Sequence, residues 1–131
     1  MFVDASAMCA ILLNEPDADV IKLKLVAASV RFTSPIAVFE TVLAVLRQKG
    51  GEPDQARATV ARFIDVAEIE AVAIGDAERE AALEAMARFG KGRHPARLNM
   101  GDCFAYACAK VHGVPLLFKG GDFSKTDIDV A

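Results

Sequence analysis

The chain has 131 residues, 53% hydrophobic and 25% charged, so it is long enough to bury a core and too apolar to be disordered. We expect residues 1–131 to form one domain. A net charge of −3 argues, on its own, against a nucleic-acid partner. No apolar run approaches the ~18 residues of a membrane span, and no basic segment precedes the first apolar stretch, so we expect a cytoplasmic protein without a signal peptide. Three cysteines without CxxC spacing argue against a disulfide framework or a structural zinc site.

Short apolar segments alternate with longer segments of helical character. The clearest helix start is Ser34 followed by Pro35, because serine caps a helix and proline suits its first position. Strands that alternate with helices predict an α/β fold with a short, mainly parallel sheet and helices packed on it. In chain order, the predicted elements are a strand at 1–4, helices at 6–13 and 17–28, a strand at 31–33, helices at 34–49 and 53–66, a strand at 68–74, helices at 76–89 and 101–112, and a strand at 116–118.

Two groups of acidic residues stand out among the 18 in the chain. Nine of them lie between residues 52 and 84 on amphipathic segments, where a solvated face is expected. Four others, Asp4, Glu40, Asp102 and Asp122, have apolar or glycine-rich neighbours, and a carboxylate in such surroundings must be hydrogen-bonded, paired or bound to a metal. The simplest interpretation of Asp4 and Asp102, both at predicted helix starts, is a helix cap. Glu40 lies in mid-helix, where it caps nothing.

The chain positions of these four acids are compatible with one common site. Asp4 and Asp122 follow predicted strands, and open α/β sheets place their sites at the carboxyl ends of strands. Two unit charges 4 Å apart repel by about 4 kcal/mol at an effective dielectric of 20, so such a cluster must protonate, recruit basic groups or bind a cation. Oxygen ligands without His or Cys favour Mg²⁺ or Mn²⁺ over zinc. A carboxylate-bound ion of that kind suits phosphodiester hydrolysis.

One basic stretch stands out, between residues 88 and 101, and it contains no acid. A polar surface loop is the ordinary interpretation. Because the stretch directly precedes Asp102, we expect Lys91, Arg93 and Arg97 to contact the phosphates of a nucleic acid.

A resemblance to a known family rests on four segments: FVDASA at 2–7, SPIAVFETVLAVLRQKG at 34–50, GKGRHPARLNMGDCFAYACAK at 90–110 and PLLFKGGDFSKTDI at 115–128. In this order and spacing they resemble the PIN-domain ribonucleases, and specifically the VapC-type toxins of toxin–antitoxin pairs. The resemblance covers essentially the whole chain. It implies a PIN-like three-layer α/β/α sandwich.

The resemblance also implies a chemistry. Asp4, Glu40, Asp102 and Asp122 correspond to the acidic quartet that binds Mg²⁺, or Mn²⁺, and Ser6 to the hydroxyl residue that supports the metal-bound water or the phosphate. The implied activity is a metal-dependent endoribonuclease, and the nucleic acid that Lys91, Arg93 and Arg97 are expected to contact is then RNA. Implied partners are a cognate VapB-type antitoxin and a second copy of the chain in a homodimer, without sequence-specific DNA binding by this chain.

One departure from the family pattern affects the fourth acid. Many PIN domains carry two polar or acidic residues after the glycine near the chain end, whereas here Gly120 and Gly121 precede Asp122, which alone offers a carboxylate at that point. Asp127 therefore stays open as a substitute or supporting residue. Two rival functions also stay open. One is a catalytically inactive PIN-fold module that binds proteins, and the other is a doubly wound phosphotransfer or phosphatase domain, which fits Glu40 and residues 99–104 poorly.

Overall fold

The structure, a computed structural model that describes residues 1–131, contains one sheet of four parallel strands. The strands are β1 (Phe2–Val3), β2 (Phe32–Thr33), β3 (Glu70–Ala71) and β4 (Leu116–Leu117), in the order β3-β2-β1-β4. The register pairs Phe2 with Phe32 on one side and with Leu116 on the other. Every strand has two residues, fewer than predicted. β1 is short because Asp4 already begins a helix, and β3 is short because it pairs only with the equally short β2.

All six predicted helices are present, and their ends either match the prediction or shift by one residue. Helix α3 begins as the sequence indicates: the Ser34 hydroxyl oxygen accepts a hydrogen bond from the Ala37 N–H at 3.2 Å, and Pro35 occupies the first turn. None of the helices has the length and apolar character needed to cross a lipid bilayer. The helices are α1 (Ala5–Leu12), α2 (Ala18–Ala27), α3 (Pro35–Lys49), α4 (Pro53–Val66), α5 (Asp76–Phe89) and α6 (Met100–Val111), followed by a 3₁₀ turn (Phe123–Lys125).

Neighbouring residues of each central strand point to opposite faces of the sheet. Phe2 and Leu116 are buried in one core with α5 and α6, whereas Val3 and Leu117 are buried in a second core with α1 and α2. The sheet therefore lies between two helical layers, and the predicted three-layer α/β/α sandwich is confirmed. Strand order reverses between β1 and β4, which places a crevice at the carboxyl ends of these strands.

Helix α3 extends past the sheet and pairs with α4. Val45 packs there with Ala56 and Val60 in a small third core. The amino-terminal half of α3 lies instead against α6, so it brings Glu40 towards the crevice between β1 and β4.

Candidate active site

Asp4 lies directly after β1 and is 4% exposed. Its Oδ2 accepts hydrogen bonds from the Ser6 N–H, at 2.9 Å, and from the Ser6 hydroxyl, so Asp4 caps α1. The Ser6 hydroxyl oxygen in turn accepts from the Lys119 N–H at 3.0 Å. Ser6 thus connects the ends of β1 and β4 and holds the Asp4 carboxylate in one orientation. Burial raises the pKa of Asp4, although the Ser6 hydrogen bonds oppose this shift.

Glu40 reaches the same region from α3. A Cβ atom built on Gly101 would lie 2.2 Å from Glu40 Oε1, which shows that the carboxylate lies directly against the α6 backbone beside Asp102. Only glycine leaves room for this approach. Burial, and then the charges of Asp4 and Asp102, raise the pKa of Glu40.

Asp102 is the third residue of α6, and Asn99 is the cap. The Asp102 N–H donates to Asn99 Oδ1 at 3.0 Å, and the Asn99 N–H donates to Asp102 Oδ2 at 2.8 Å, which is a capping box. Burial and the charges of Asp4 and Asp122 raise the pKa of Asp102 to about 6 against the opposing effect of the Asn99 hydrogen bond. Sequence reasoning missed Asn99, although an Asn three residues before an Asp at a helix start is a signal for this motif.

The fourth predicted acid, Asp122, is exposed where the 3₁₀ turn begins, and no cap hydrogen bond holds its side chain. It faces Asp102 across a cleft of about 300 Å³. Asp127 does not line this cleft. Its carboxylate accepts hydrogen bonds from Tyr106 at 2.6 Å and from Arg88 at 2.9 Å. The geometry therefore favours Asp122 over Asp127 as the fourth member of the cluster.

The four carboxylates are coupled through their charges, but they do not form a preassembled metal cage. No three His, Cys, Asp or Glu side chains are close enough together to hold a metal ion as they are placed. The donor set is nevertheless oxygen only, and burial together with the neighbouring carboxylates raises the pKa values of Glu40 and Asp102. These residues fit a hard divalent cation. The quartet as a ligand set stays a prediction.

The predicted basic residues border the acids. Lys91 and Arg97 line the acidic cleft together with Asn99, and both also line a neighbouring cleft of about 420 Å³ that contains Arg93. All three basic residues are exposed. Two walls of opposite charge therefore meet at the amino terminus of α6, whose unpaired N–H groups add positive potential.

Comparison with known proteins places this chain in a family. The PIN domain family matches residues 1–129. Ribonuclease VapC30 of Mycobacterium tuberculosis (strain ATCC 25618 / H37Rv) is 41% identical over 128 residues, which cover 98% of this chain and 95% of that protein. The chain belongs to the PIN domain family and, within it, to the VapC ribonucleases.

Two solved structures have the same fold. The crystal structure of Mycobacterium tuberculosis VapC20, described as a sarcin–ricin loop cleaving toxin, matches with a TM-score of 0.79 and 20% identity, covering 99% of this chain and 97% of that one. A toxin–antitoxin complex from Klebsiella pneumoniae matches with a TM-score of 0.72 and 14% identity, covering 99% and 95%.

Proposed function

We propose that this chain is the toxin of a toxin–antitoxin pair, an endoribonuclease that hydrolyses RNA with a divalent cation, Mg²⁺ or Mn²⁺, held by Asp4, Glu40, Asp102 and Asp122. The observation that carries the proposal is the cleft in which Asp102 and Asp122 face Lys91 and Arg97. A cation on the acidic wall and phosphate oxygens on the basic wall would satisfy both sets of charges. The 41% identity to a VapC ribonuclease supports the same reaction class.

The residues of the proposed site have three kinds of task in this reaction. Asp4 is the fixed ligand, because Ser6 holds its Oδ2 and directs both donors to that one oxygen. Glu40 and Asp102 place further negative charge beside Asp4, which a divalent cation would offset. Lys91 and Arg97 bind the phosphate and keep it at the cleft. When bound, the cation supplies an activated water and stabilises the charge that develops on the phosphate.

One observation favours the rival function of an inactive binding module. Asp4 caps α1 and Asp102 completes the capping box of α6, so both have a structural role and their presence alone does not require catalysis. Glu40 is different, since it caps nothing and has no basic residue within one helical turn. An unpaired, half-buried carboxylate beside two others is costly for a module that holds no cation.

The cognate partner in this proposal is a VapB-type antitoxin, and the chain forms a homodimer. Support for the antitoxin comes from the fold shared with a toxin–antitoxin complex and from an apolar groove of about 1070 Å³ between α3 and α4. Phe39 on this groove is 64% exposed, which suits a surface that a partner covers. A basic side chain of the antitoxin near the acids would inhibit the enzyme by replacing the charge of the cation.

The direct test is RNA cleavage by the purified chain without its partner. We expect cleavage with Mg²⁺ or Mn²⁺, none with EDTA, and a loss of at least about 100-fold in Asp4→Asn and in Asp102→Asn. Asp54→Asn, an equal change on the exposed face of α4, is the matched control and should keep full activity. Cleavage that persists in EDTA, or full activity in both folded site variants, would contradict the mechanism.

A further inference from the structure

Asp127 lies outside the acidic cleft and joins the carboxy-terminal segment to two helices. The Tyr106 hydroxyl donates to its Oδ1 at 2.6 Å and the Arg88 guanidinium to its Oδ2 at 2.9 Å. The Lys110 ammonium group donates to the Asp127 carbonyl oxygen at 3.2 Å. Arg88 belongs to α5, while Tyr106 and Lys110 belong to α6. Three side chains from two helices therefore hold Asp127, two through its carboxylate and one through its backbone carbonyl.

The short segment between Asp122 and Asp127 is a compact turn. The Asp122 carbonyl oxygen accepts from the Lys125 N–H at 3.2 Å, and the Thr126 hydroxyl donates to the Phe123 carbonyl oxygen at 2.7 Å. Phe123 is buried and packs against Phe118, with ring centroids 5.0 Å apart. Displacement of one end of such a turn displaces the other end as well.

Helix α6 contacts both ends of this turn with one face. Asp102 and Tyr106 are four residues apart, so they lie one above the other on the helix surface. Asp102 faces Asp122 at the start of the turn, and Tyr106 holds Asp127 at its end. The exposed Asp122 side chain has no cap hydrogen bond of its own. Its placement opposite Asp102 therefore depends on how the turn is held.

We propose that Asp127 is a positioning residue, which together with Tyr106 and Arg88 latches the turn of residues 122–127 onto α6 and thereby keeps Asp122 at the cation site. The inference rests on the proposed function, because the role of Asp122 is cation binding. The latch also borders the basic loop, since Lys125 donates to the Pro95 carbonyl oxygen at 3.3 Å. Asp127 contacts neither the cation nor the RNA in this scheme.

The test measures Mn²⁺ affinity of the RNA-free chain by calorimetry, alongside the melting temperature. Asp127→Ala should weaken Mn²⁺ binding about tenfold, in line with losses on removing residues that orient metal ligands. Two milder variants should have Mn²⁺ affinities between those of Asp127→Ala and the unsubstituted chain. Tyr106→Phe keeps the ring and removes one donor, and Asp127→Asn keeps an acceptor oxygen for Tyr106. Hydrogen exchange of the amides of residues 119–126 should accelerate in the same order.

A destabilised control separates positioning from general stability. Val60→Ala opens a cavity in the α3–α4 core, far from the turn in the fold, and should lower the melting temperature without changing Mn²⁺ affinity. The latch would be overturned if Val60→Ala and Asp127→Ala weakened Mn²⁺ binding equally. It would also be overturned if Asp127→Ala kept its Mn²⁺ affinity while Asp102→Asn lost Mn²⁺ binding. In that second case the proposed function would stand. Absence of Mn²⁺ binding and of cleavage in the unsubstituted chain would overturn both.

Discussion

Asp4, the cap of α1, and Asp102, the third residue in the capping box of α6, also belong to a charged cluster. The two roles are compatible because each carboxylate uses Oδ2 for the hydrogen bonds at its helix start and leaves Oδ1 outside them. In Asp102 burial has the largest effect and raises the pKa, the Asn99 hydrogen bond opposes this, and the charges of Asp4 and Asp122 add to the rise, which brings the pKa to about 6. The cation-free site is therefore strained electrostatically at neutral pH.

This strain predicts that Asp102→Asn stabilises the cation-free protein at neutral pH. The folded-state pKa of Asp102, about 6, exceeds its ordinary value of 3.8, so the folded chain binds the proton more tightly than the unfolded chain. The resulting contribution to stability is present below about pH 4 and is lost as the pH rises through about 6. Asparagine avoids that loss and retains an acceptor for the Asn99 N–H. In EDTA, the variant should melt at a higher temperature than the unsubstituted chain at pH 7, and at a similar temperature near pH 4.

Thermal melting between pH 4 and pH 8 checks this prediction, with Asp54→Asn as the exposed control. If the melting temperatures of Asp102→Asn and the unsubstituted chain differed by the same amount at every pH in this range, the raised pKa of Asp102 would be contradicted. A constant difference could not arise from the titration of its carboxyl group.

At the scale of elements, helices were more predictable from sequence than strands. Helix α3 starts and ends where local sequence signals indicate, at the cap Ser34 with Pro35 after it and at Gly50. The predicted strand at 68–74 shrinks to Glu70–Ala71 because pairing with β2, a nonlocal feature, decides its length. The acids of the candidate site could be predicted from their apolar or glycine-rich neighbours in the sequence. The approach of Glu40 to Gly101 could not be predicted, because no local pattern indicates that α3 and α6 cross at this point.

That crossing predicts an unusual effect of Gly101→Ala. The added methyl group meets the movable end of the Glu40 side chain rather than backbone, so we expect the fold to survive. Alanine also favours the helix over glycine by up to about 1 kcal/mol. The Glu40 carboxylate must move, however, so RNA cleavage and Mn²⁺ affinity should both fall about tenfold at an unchanged or raised melting temperature.

Gly121→Ala is the matched control for this prediction, since a Cβ there meets nothing within 4 Å. It should leave both cleavage and melting temperature unchanged. A Gly101→Ala variant with normal cleavage would show that the position of Glu40 does not matter to the reaction.

For the whole molecule, the acidic net charge conceals a local separation of charge. The nine acids between residues 52 and 84 lie apart from the cleft, whereas Lys91, Arg93 and Arg97 stand beside it. The fold explains this arrangement. The strand order brings the ends of β1 and β4 together, and the basic stretch of residues 88–101 leads into the amino terminus of α6 beside them. Composition could not reveal it, since composition carries no positions. If the chain binds RNA as proposed, we expect its affinity to depend on local rather than net charge.

The salt dependence of RNA binding tests this conclusion. Single-stranded RNA releases about 0.7 counterions per phosphate contact, so three basic contacts predict a slope of about −2 for log affinity against log salt concentration. Lys91→Gln should reduce the magnitude of this slope by about 0.7. Arg57→Gln removes the same charge from α4, where Arg57 pairs with Asp54 at 3.2 Å, and should leave the slope unchanged. Fluorescence anisotropy of a labelled single-stranded RNA, with Asp102→Asn as the cleavage-deficient background in EDTA, measures all three slopes. Equal reductions in the two variants would mean that net charge, and not the basic loop, governs binding.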